Sequence, residues 1–516
     1  MLKRFVILVH RWLGVALCLI FMLWFPSGIG MMYWDYPSVS PSDRLERSTA
    51  LDPSRIVLSP DEAAAKLDES QPRGQVRLNT FDGRPVYRFR SGGGESIIYA
   101  DTGEEQIEVP KAMMERIVSS WTGQPVNAAR VEPIEEVDQW TLQSGLRDLR
   151  PVWKYSWPSG EQVYISEVTG DVVQYTTTAS RLGAYVGAIP HWLYFTPLRK
   201  HGPEWSRLVI WSSGIGTLAA LLGIVIGIWM YSPSQRYRRA GVPTSVPYRG
   251  QKRWHMVFGL IFGLGAATWA FSGMLSMDPF PTRRTGGPAG GRRGGGGPGV
   301  PQALRGRGGQ LTAFTPKHPR AALAQLPNLA VKELELTSFE GEPVYLATVA
   351  GGDTRIIPVH GEPRAEFDRQ RIIDIVTKAT QSNGGAEITV LEQYDRYYLD
   401  RRRERPLPVI LARLNDAERT RYYIDPKTAR VVGNYSASNW MSRWLYHGLH
   451  SLDFPWLYNY RPLWDVVVIT FMVGGTALCV TSLILAWRVL GRKLGRAFAR
   501  TRSDSMQSED LTSTLT

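Results

Sequence analysis

Four apolar runs, each long enough to cross a lipid bilayer, limit what this 516-residue chain can become. They cover residues 5–33, 206–231, 254–277 and 464–488, and about 20 consecutive apolar residues suffice for a membrane helix. The runs are related in pairs. His10-Arg11-Trp12-Leu13-Gly14 lies at the start of the first, and His255-Met256-Val257-Phe258-Gly259 opens the third (10 + 245 = 255). The register continues through Trp24 and Trp269, Ser27 and Ser272, and Gly28 and Gly273. A second pair of segments repeats at an offset of 259, matching His191 with His450, Phe195 with Phe454 and Trp205 with Trp464. The chain thus reads as a duplicated unit of helix, polar segment and helix. Four of its eight histidines fall at mirrored places beside the spans.

The polar segments repeat too. Phe81-Asp82-Gly83-Arg84-Pro85-Val86-Tyr87 returns as Phe339-Glu340-Gly341-Glu342-Pro343-Val344-Tyr345, and Tyr164-Ile165-Ser166-Glu167-Val168-Thr169-Gly170 as Tyr423-Ile424-Asp425-Pro426-Lys427-Thr428-Ala429. Both read as strand, tight turn, strand, with an acid or glycine supplying the turn. Ser59-Pro60-Asp61-Glu62 has the cap and early acids of a helix start. Val86-Tyr87-Arg88-Phe89 alternates like a half-buried strand. The expected fold is therefore a membrane protein with four transmembrane α-helices in a duplicated arrangement and two outer α+β domains.

The boundaries follow. Residues 1–33 hold the N-terminus and first span, 34–180 the first outer domain, and 181–231 an interfacial histidine segment with the second span. Residues 232–253 form a basic loop, 254–277 the third span, 278–317 a Gly/Arg-rich linker and 318–436 the second outer domain. The second histidine segment and last span fill 437–488, and 489–516 is a basic, then polar tail. The loop carries Arg236, Arg238, Arg239, Arg249, Lys252 and Arg253 without an acid, and the tail adds Arg488, Arg492, Lys493 and Arg496. By the positive-inside rule both termini and the basic loop are cytoplasmic, which puts the two long polar segments outside. In a bacterium with two membranes that means an inner-membrane protein with periplasmic domains.

The formal charge of +13 suggests nucleic acid only until it is located. The excess sits beside the spans and in the linker 282–309, whose composition offers no apolar period and predicts a flexible tether. Membrane lipid, and no nucleic acid, is the expected partner. Cys18 and Cys479 both lie inside predicted spans, which excludes a disulfide framework, and no C-x-x-C-H site exists for covalent haem. No Gly-rich dinucleotide motif sits between a strand and a helix, so neither NAD nor flavin binding is expected.

The HRWLG opening, the Ser27-Gly28 pair, a second histidine ahead of a Trp-led helix, and the Tyr-x-x-x-x-Thr-Gly turn together resemble the PepSY-associated transmembrane family. The likeness extends over nearly the whole chain apart from the linker and the tail. The second copy departs from it in His255-Met256 and in Thr428-Ala429. The resemblance implies PepSY-like outer domains and the company of iron-regulated inner-membrane proteins and ferric-siderophore reductases.

Neutral imidazoles on facing helices suit six-coordinate haem b. His10 with His255 would hold the iron of an inner haem, and His191 with His450 that of an outer one. His447 shares a helical face with His450 and is the alternative ligand, although its mirrored position is Ala188 (447 − 259 = 188). A lone interfacial histidine beside tryptophan reads as a belt residue; repetition at matching depth is what argues for ligands. Arg11, Arg253, Arg443 and Arg461 read first as headgroup anchors, with pairing to haem propionates as the alternative. His201, His318 and His360 have no mirrored partner and are expected at the surface. The resulting expectation is a haem-dependent oxidoreductase. It would take electrons from a quinol or a protein donor and reduce a periplasmic acceptor, which the resemblance implies is ferric siderophore iron. The competing expectation is a membrane-anchored PepSY binding or regulatory protein without redox activity.

Overall fold

The computed structural model of the chain describes residues 1–67, 74–91, 94–279, 299–306, 310–349, 353–400 and 403–513. Contacts divide it into a helical unit (Met1–Tyr36, Ala179–Pro281, Met441–Thr516) and a β-rich unit (Pro37–Thr178, Thr282–Trp440).

The helical unit is built on α1 (Leu2–Tyr33), α2 (Gly202–Met230), α3 (Gln251–Leu275) and α4 (Leu463–Ser513). Each carries a stretch long and apolar enough to cross a bilayer, and a helix satisfies its own backbone there, where lipid offers no hydrogen bonds. This is a multi-pass membrane protein with four spans. Helices α1 and α3 each pack against both α2 and α4, and glycines let them close. A Cβ on Gly216 of α2 would lie 2.5 Å from the Phe21 ring, and Gly475 of α4, its mirror (216 + 259 = 475), makes the same room for Phe25. Aromatic rings thereby fill the middle of the bundle. Phe21 stacks on Phe25 at 6.2 Å, Phe25 meets Trp269 at 5.9 Å, and Trp269 meets Phe471 at 6.2 Å. A short hairpin, Tyr237–Arg239 with Val242–Thr244, links α2 to α3.

In the β-rich unit the two polar segments are joined through one sheet. Their first halves share one six-stranded antiparallel sheet, joined where Val76–Phe81 pairs with Val331–Phe339. The register is self-complementary. Val76 faces Leu336 and Leu78 faces Leu334, and adding 258 to either first-copy residue gives the partner of the other. A pseudo-two-fold axis therefore passes between Arg77 and Glu335, two opposite charges facing each other across the strands. Tyr87 and Tyr345 are fully buried at mirrored places in the shared core, their hydroxyls donating to the carbonyls of Leu58 and Lys317, each at 2.7 Å. Each copy then adds a four-stranded antiparallel sheet covered by an amphipathic helix, Lys111–Thr122 in the first and Arg369–Thr380 in the second.

The repeated turns behave as read. Asp82-Gly83 and Glu340-Gly341 all have positive φ (46°, 72°, 54° and 87°), the backbone of a two-residue hairpin turn matched to strand twist. Ser59 caps the helix Pro60–Ala64 in a reciprocal box with Glu62. Three features differ from expectation. The strand around Val86-Tyr87-Arg88-Phe89 is buried on both faces rather than one, because Arg88 is covered and paired with Glu95 at 2.8 Å and Asp171 at 3.3 Å. Most of the Gly/Arg stretch (280–298 and 307–309) lies outside the described residues, but Val300–Arg305 inside it is helical, with Val300 and Leu304 buried in the second core. Two apolar residues four apart were enough to dock that piece. Beyond the last span, α4 continues as helix to Ser513.

Candidate functional site

The inner pair forms where α1 and α3 face each other. The His10 and His255 ring centroids are 6.2 Å apart. His10 reaches α2, where its Nδ1 lies 2.9 Å from the Ala219 carbonyl oxygen. Gly223 makes this approach possible, since a Cβ there would stand 2.7 Å from His10 Cε1. His255 turns to α4, with Nδ1 at 3.2 Å from Thr481 Oγ1 and 3.3 Å from Ser482 Oγ.

The outer pair comes from short turns ahead of α2 and α4. His191 sits in the last turn of the helix Ala188–Trp192, and His450 sits in Leu449–Ser451 directly after the π-helix Met441–Gly448. Their centroids are 5.9 Å apart. Both turns are stopped by a leucine in the left-handed region, Leu193 (φ 52°) and Leu452 (φ 49°), at mirrored positions. A non-glycine residue there stores strain, which surrounding structure must hold. Tryptophan does the holding. Trp205 Nε1 donates to the Trp192 carbonyl at 2.8 Å, and Trp464 Nε1 to the Ser451 and Leu452 carbonyls at 3.1 Å each. The repeated Trp205/Trp464 thus latches each histidine turn to its span. In the first copy, Gly30 and Gly187 also touch backbone to backbone, bringing the histidine turn against α1. His191 Nδ1 lies 3.2 Å from both the Trp24 carbonyl and Ser27 Oγ, and His450 Nδ1 lies 3.0 Å from Ser272 Oγ.

These contacts fix the tautomers. A carbonyl oxygen only accepts, so Nδ1 of His10 and of His191 carries the proton. The hydroxyls facing His255 and His450 are already spent as donors to their own helices: Thr481 and Ser482 to Leu478 O at 2.8 Å and 3.0 Å, Ser272 to Trp269 O at 3.1 Å. They are thus placed to accept from Nδ1, and His255 and His450 also meet backbone carbonyls, Leu478 and Trp269, at the mirrored positions of Ala219 and Trp24. All four Nε2 atoms are left with a free lone pair, and among the described residues none has a hydrogen-bond partner. Holding one ring N–H so that the other nitrogen can bind is how proteins prepare a histidine for metal.

The spacing fits one iron per pair. A metal–imidazole bond of about 2 Å puts two trans imidazole centroids roughly 6.3 Å apart, close to the 6.2 Å and 5.9 Å seen here. Among the described residues no group of three or more His, Cys, Asp or Glu could enclose a bare ion; a macrocycle that brings its own equatorial ligands needs only two. Room exists beside the inner pair, in a cavity of about 430 Å³ whose lining includes Gly14, Phe21, Gly223 and Gly259. Gly14 and Gly259 each lie one turn beyond their histidine. A Cβ on Gly14 would meet nothing within 4 Å, and one on Gly259 only Leu478 Cδ1 at 3.9 Å. The mirrored glycines leave space open in the cavity that the two imidazoles line.

Residues 7–360 match the family described as PepSY-associated TM region. The chain belongs to this family. No match was found among curated proteins or among solved structures. The PepSY-associated match takes in His10, His191 and His255 and stops before His450, so the fourth histidine rests on the repeat and on geometry. His447 is exposed with its ring against Tyr446 at 4.6 Å, and it is His450 that faces His191. Arg11 lines the inner cavity, whereas Arg253 is not among its lining residues. Arg443 is buried and donates to Asp453 at 2.9 Å, and Arg461 pairs with Asp465 one turn on. His201 and His360 are exposed, and His318 caps the helix Pro319–Ala324. The residues that sequence reasoning missed in this PepSY-associated bundle are the Nδ1 acceptors Ala219, Thr481 and Ser482. Ser27 and Ser272 were visible as a repeat, but without a role.

Proposed function

We propose that this protein is a dihaem b-type electron-transfer protein of the bacterial inner membrane, with both termini cytoplasmic and the β-rich unit periplasmic. It draws electrons from a quinol or a protein donor and reduces a periplasmic acceptor, ferric siderophore iron, from Fe(III) to Fe(II). The observation that carries this reading is an acceptor at Nδ1 of all four mirrored histidines, with the paired rings at single-iron centroid spacing. Haem b at the two pairs would supply one-electron chemistry at two depths of the membrane.

The chain's own contribution is placement and exclusion of water. His10 and Ser27, which mark the two levels on α1, are 17 residues apart (27 − 10 = 17), or about 25 Å at roughly 1.5 Å per residue. Phe21, Phe25, Trp269 and Phe471 pack in ring-to-ring contact between them, an apolar layer that would exclude water. Outer-sphere reduction of a chelate needs no acid–base constellation, only an acceptor held by the β-rich unit.

The test is an absorption spectrum and haem assay on detergent-purified protein, with His10→Ala and His450→Ala beside wild type. Two b-type haems per chain, with one lost in each variant, is the expected result and would justify assaying ferric-siderophore reduction. Protein that stays colourless when expressed with ample haem would remove the redox reading and turn attention to a peptide or protein ligand of the β-rich unit.

A further inference from the structure

Three cations stand around the inner cavity without a counter-charge. Arg11 comes from α1, Lys252 from α3 and Arg492 from α4, and Tyr248 joins them from the loop before α3. The lining contains no Asp or Glu. Among the described residues none of the three cations makes an ion pair. Duplication does not explain them. Their mirrored positions are Met256 (11 + 245), Ile7 (252 − 245) and Pro233 (492 − 259). Three helices have each placed a positive group at one cavity without help from the repeat.

We propose that Arg11, Lys252 and Arg492, with the Tyr248 hydroxyl, form a carboxylate clamp that seats the macrocycle at the His10/His255 pair. The inference rests on the haem reading and deepens it. Haem b carries two carboxylates at one edge, and a dianion at the mouth of an apolar cavity is stabilised by unpaired cations. Arg11 adjoins His10 in sequence, and Lys252 lies three residues before His255 on the same helical face, so both belong to the helices that carry the inner ligands. The clamp also sets direction: it points the carboxylate edge toward the basic end of the bundle. Headgroup anchoring explains a cation beside a span, but not the convergence of three on one cavity. Neither Arg253 nor Arg239, equally basic neighbours, lines it.

The test uses full-length, haem-loaded protein in detergent and follows transfer of haem to excess apomyoglobin. The variants are Lys252→Gln, Arg492→Gln, Arg492→Lys and, as a control at the exposed hairpin, Arg239→Gln. The expected result is loss of one of the two haems about fivefold faster in each Gln variant, with partial rescue in Arg492→Lys and no change in Arg239→Gln. The midpoint potential of the same haem should fall as positive charge is removed, while thermal unfolding of the unloaded protein stays as in wild type. Loss rates equal to wild type, or equal shifts in Arg239→Gln, would overturn the clamp and leave the histidine reading standing. Wild type that never binds haem at the inner pair would overturn both.

Discussion

The outer and inner histidine pairs solve one problem in two ways. At the outer pair the solution is symmetric. Ser27 and Ser272 sit at the same place in the two copies, each faces one histidine, and Trp205 and Trp464 hold the two turns alike. At the inner pair the side chains break the symmetry. His10 leans on the Ala219 carbonyl across a glycine, whereas His255 adds two hydroxyls to the mirrored Leu478 carbonyl (219 + 259 = 478). Gly223 and Ser482 are mirrored positions (223 + 259 = 482), one emptied to let a ring approach and the other filled to meet a ring that stays back. What the two copies share is therefore a mirrored backbone carbonyl beside each imidazole, and what differs is the side chain added to it.

The largest effect should come from filling the emptied side. Gly223→Ala puts a methyl group 2.7 Å from His10 Cε1, and overpacking of this kind costs about 1–3 kcal/mol. The variant should unfold at lower temperature in detergent and lose the inner haem while keeping the outer one. Ser482→Gly, the reverse change in the other copy, should keep both. If Gly223→Ala retains wild-type stability and haem content, His10 does not lie against α2 and the asymmetry is not real. Gly14→Ala provides the contrast. Its Cβ would meet nothing in the protein, and replacing a mid-helix glycine gains roughly 0.5–1 kcal/mol. The unloaded protein should therefore be as stable or more so, with haem uptake at the inner pair impaired.

The next effect concerns the latches of the outer pair. Trp464 is buried and donates to two carbonyls, while Trp205 is half-buried and donates to one. A hydrogen bond contributes about 0.5–1.5 kcal/mol net, and a buried carbonyl left without its donor costs more. Trp464→Phe should thus destabilise the outer haem site more than Trp205→Phe, read as faster haem loss from that site alone. Equal effects would mean the two copies hold their histidine turns by packing instead of by the indole N–H.

This comparison also explains what the sequence could disclose. Apolar length marks the four spans, and repetition marks His191/His450, Trp205/Trp464 and Ser27/Ser272, because at the outer pair identical side chains do identical work. The inner acceptors were not legible. Ala219 acts through its backbone, which any residue has, and Gly223 acts by being small. Thr481 and Ser482 have no counterpart in the first copy, where Leu222 and Gly223 stand. In the β-rich unit the hairpin turns were readable from Asp82-Gly83 and Glu340-Gly341. The merging of both copies into one sheet was not, because edge pairing of Val76–Phe81 with Val331–Phe339 depends on a partner strand more than 250 residues away in the sequence. Local pattern specifies a strand and its buried face, but not which distant strand will cover its free edge.

The smallest effect separates redundancy from symmetry. Ser272 Oγ faces His450 Nδ1 beside the Trp269 carbonyl, so Ser272→Ala removes one hydrogen bond worth about 1 kcal/mol and leaves that carbonyl in place. Ser482 shares its task with Thr481, both within 3.3 Å of His255 Nδ1. Ser482→Ala should cost clearly less, because Thr481 remains to accept beside the Leu478 carbonyl, and only the double variant with Thr481→Val, which leaves that carbonyl alone, should match Ser272→Ala. The readout is the imidazole N–H proton of each ligand histidine by NMR, or the midpoint potential of each haem, since a weaker Nδ1–H acceptor makes the ligand a poorer donor and raises the potential. A rise at the outer haem for Ser272→Ala, with little change at the inner haem for Ser482→Ala, would support the division into one symmetric and one redundant site. A larger shift for Ser482→Ala than for Ser272→Ala would reverse that division and make the hydroxyl on α4 the more important tuner.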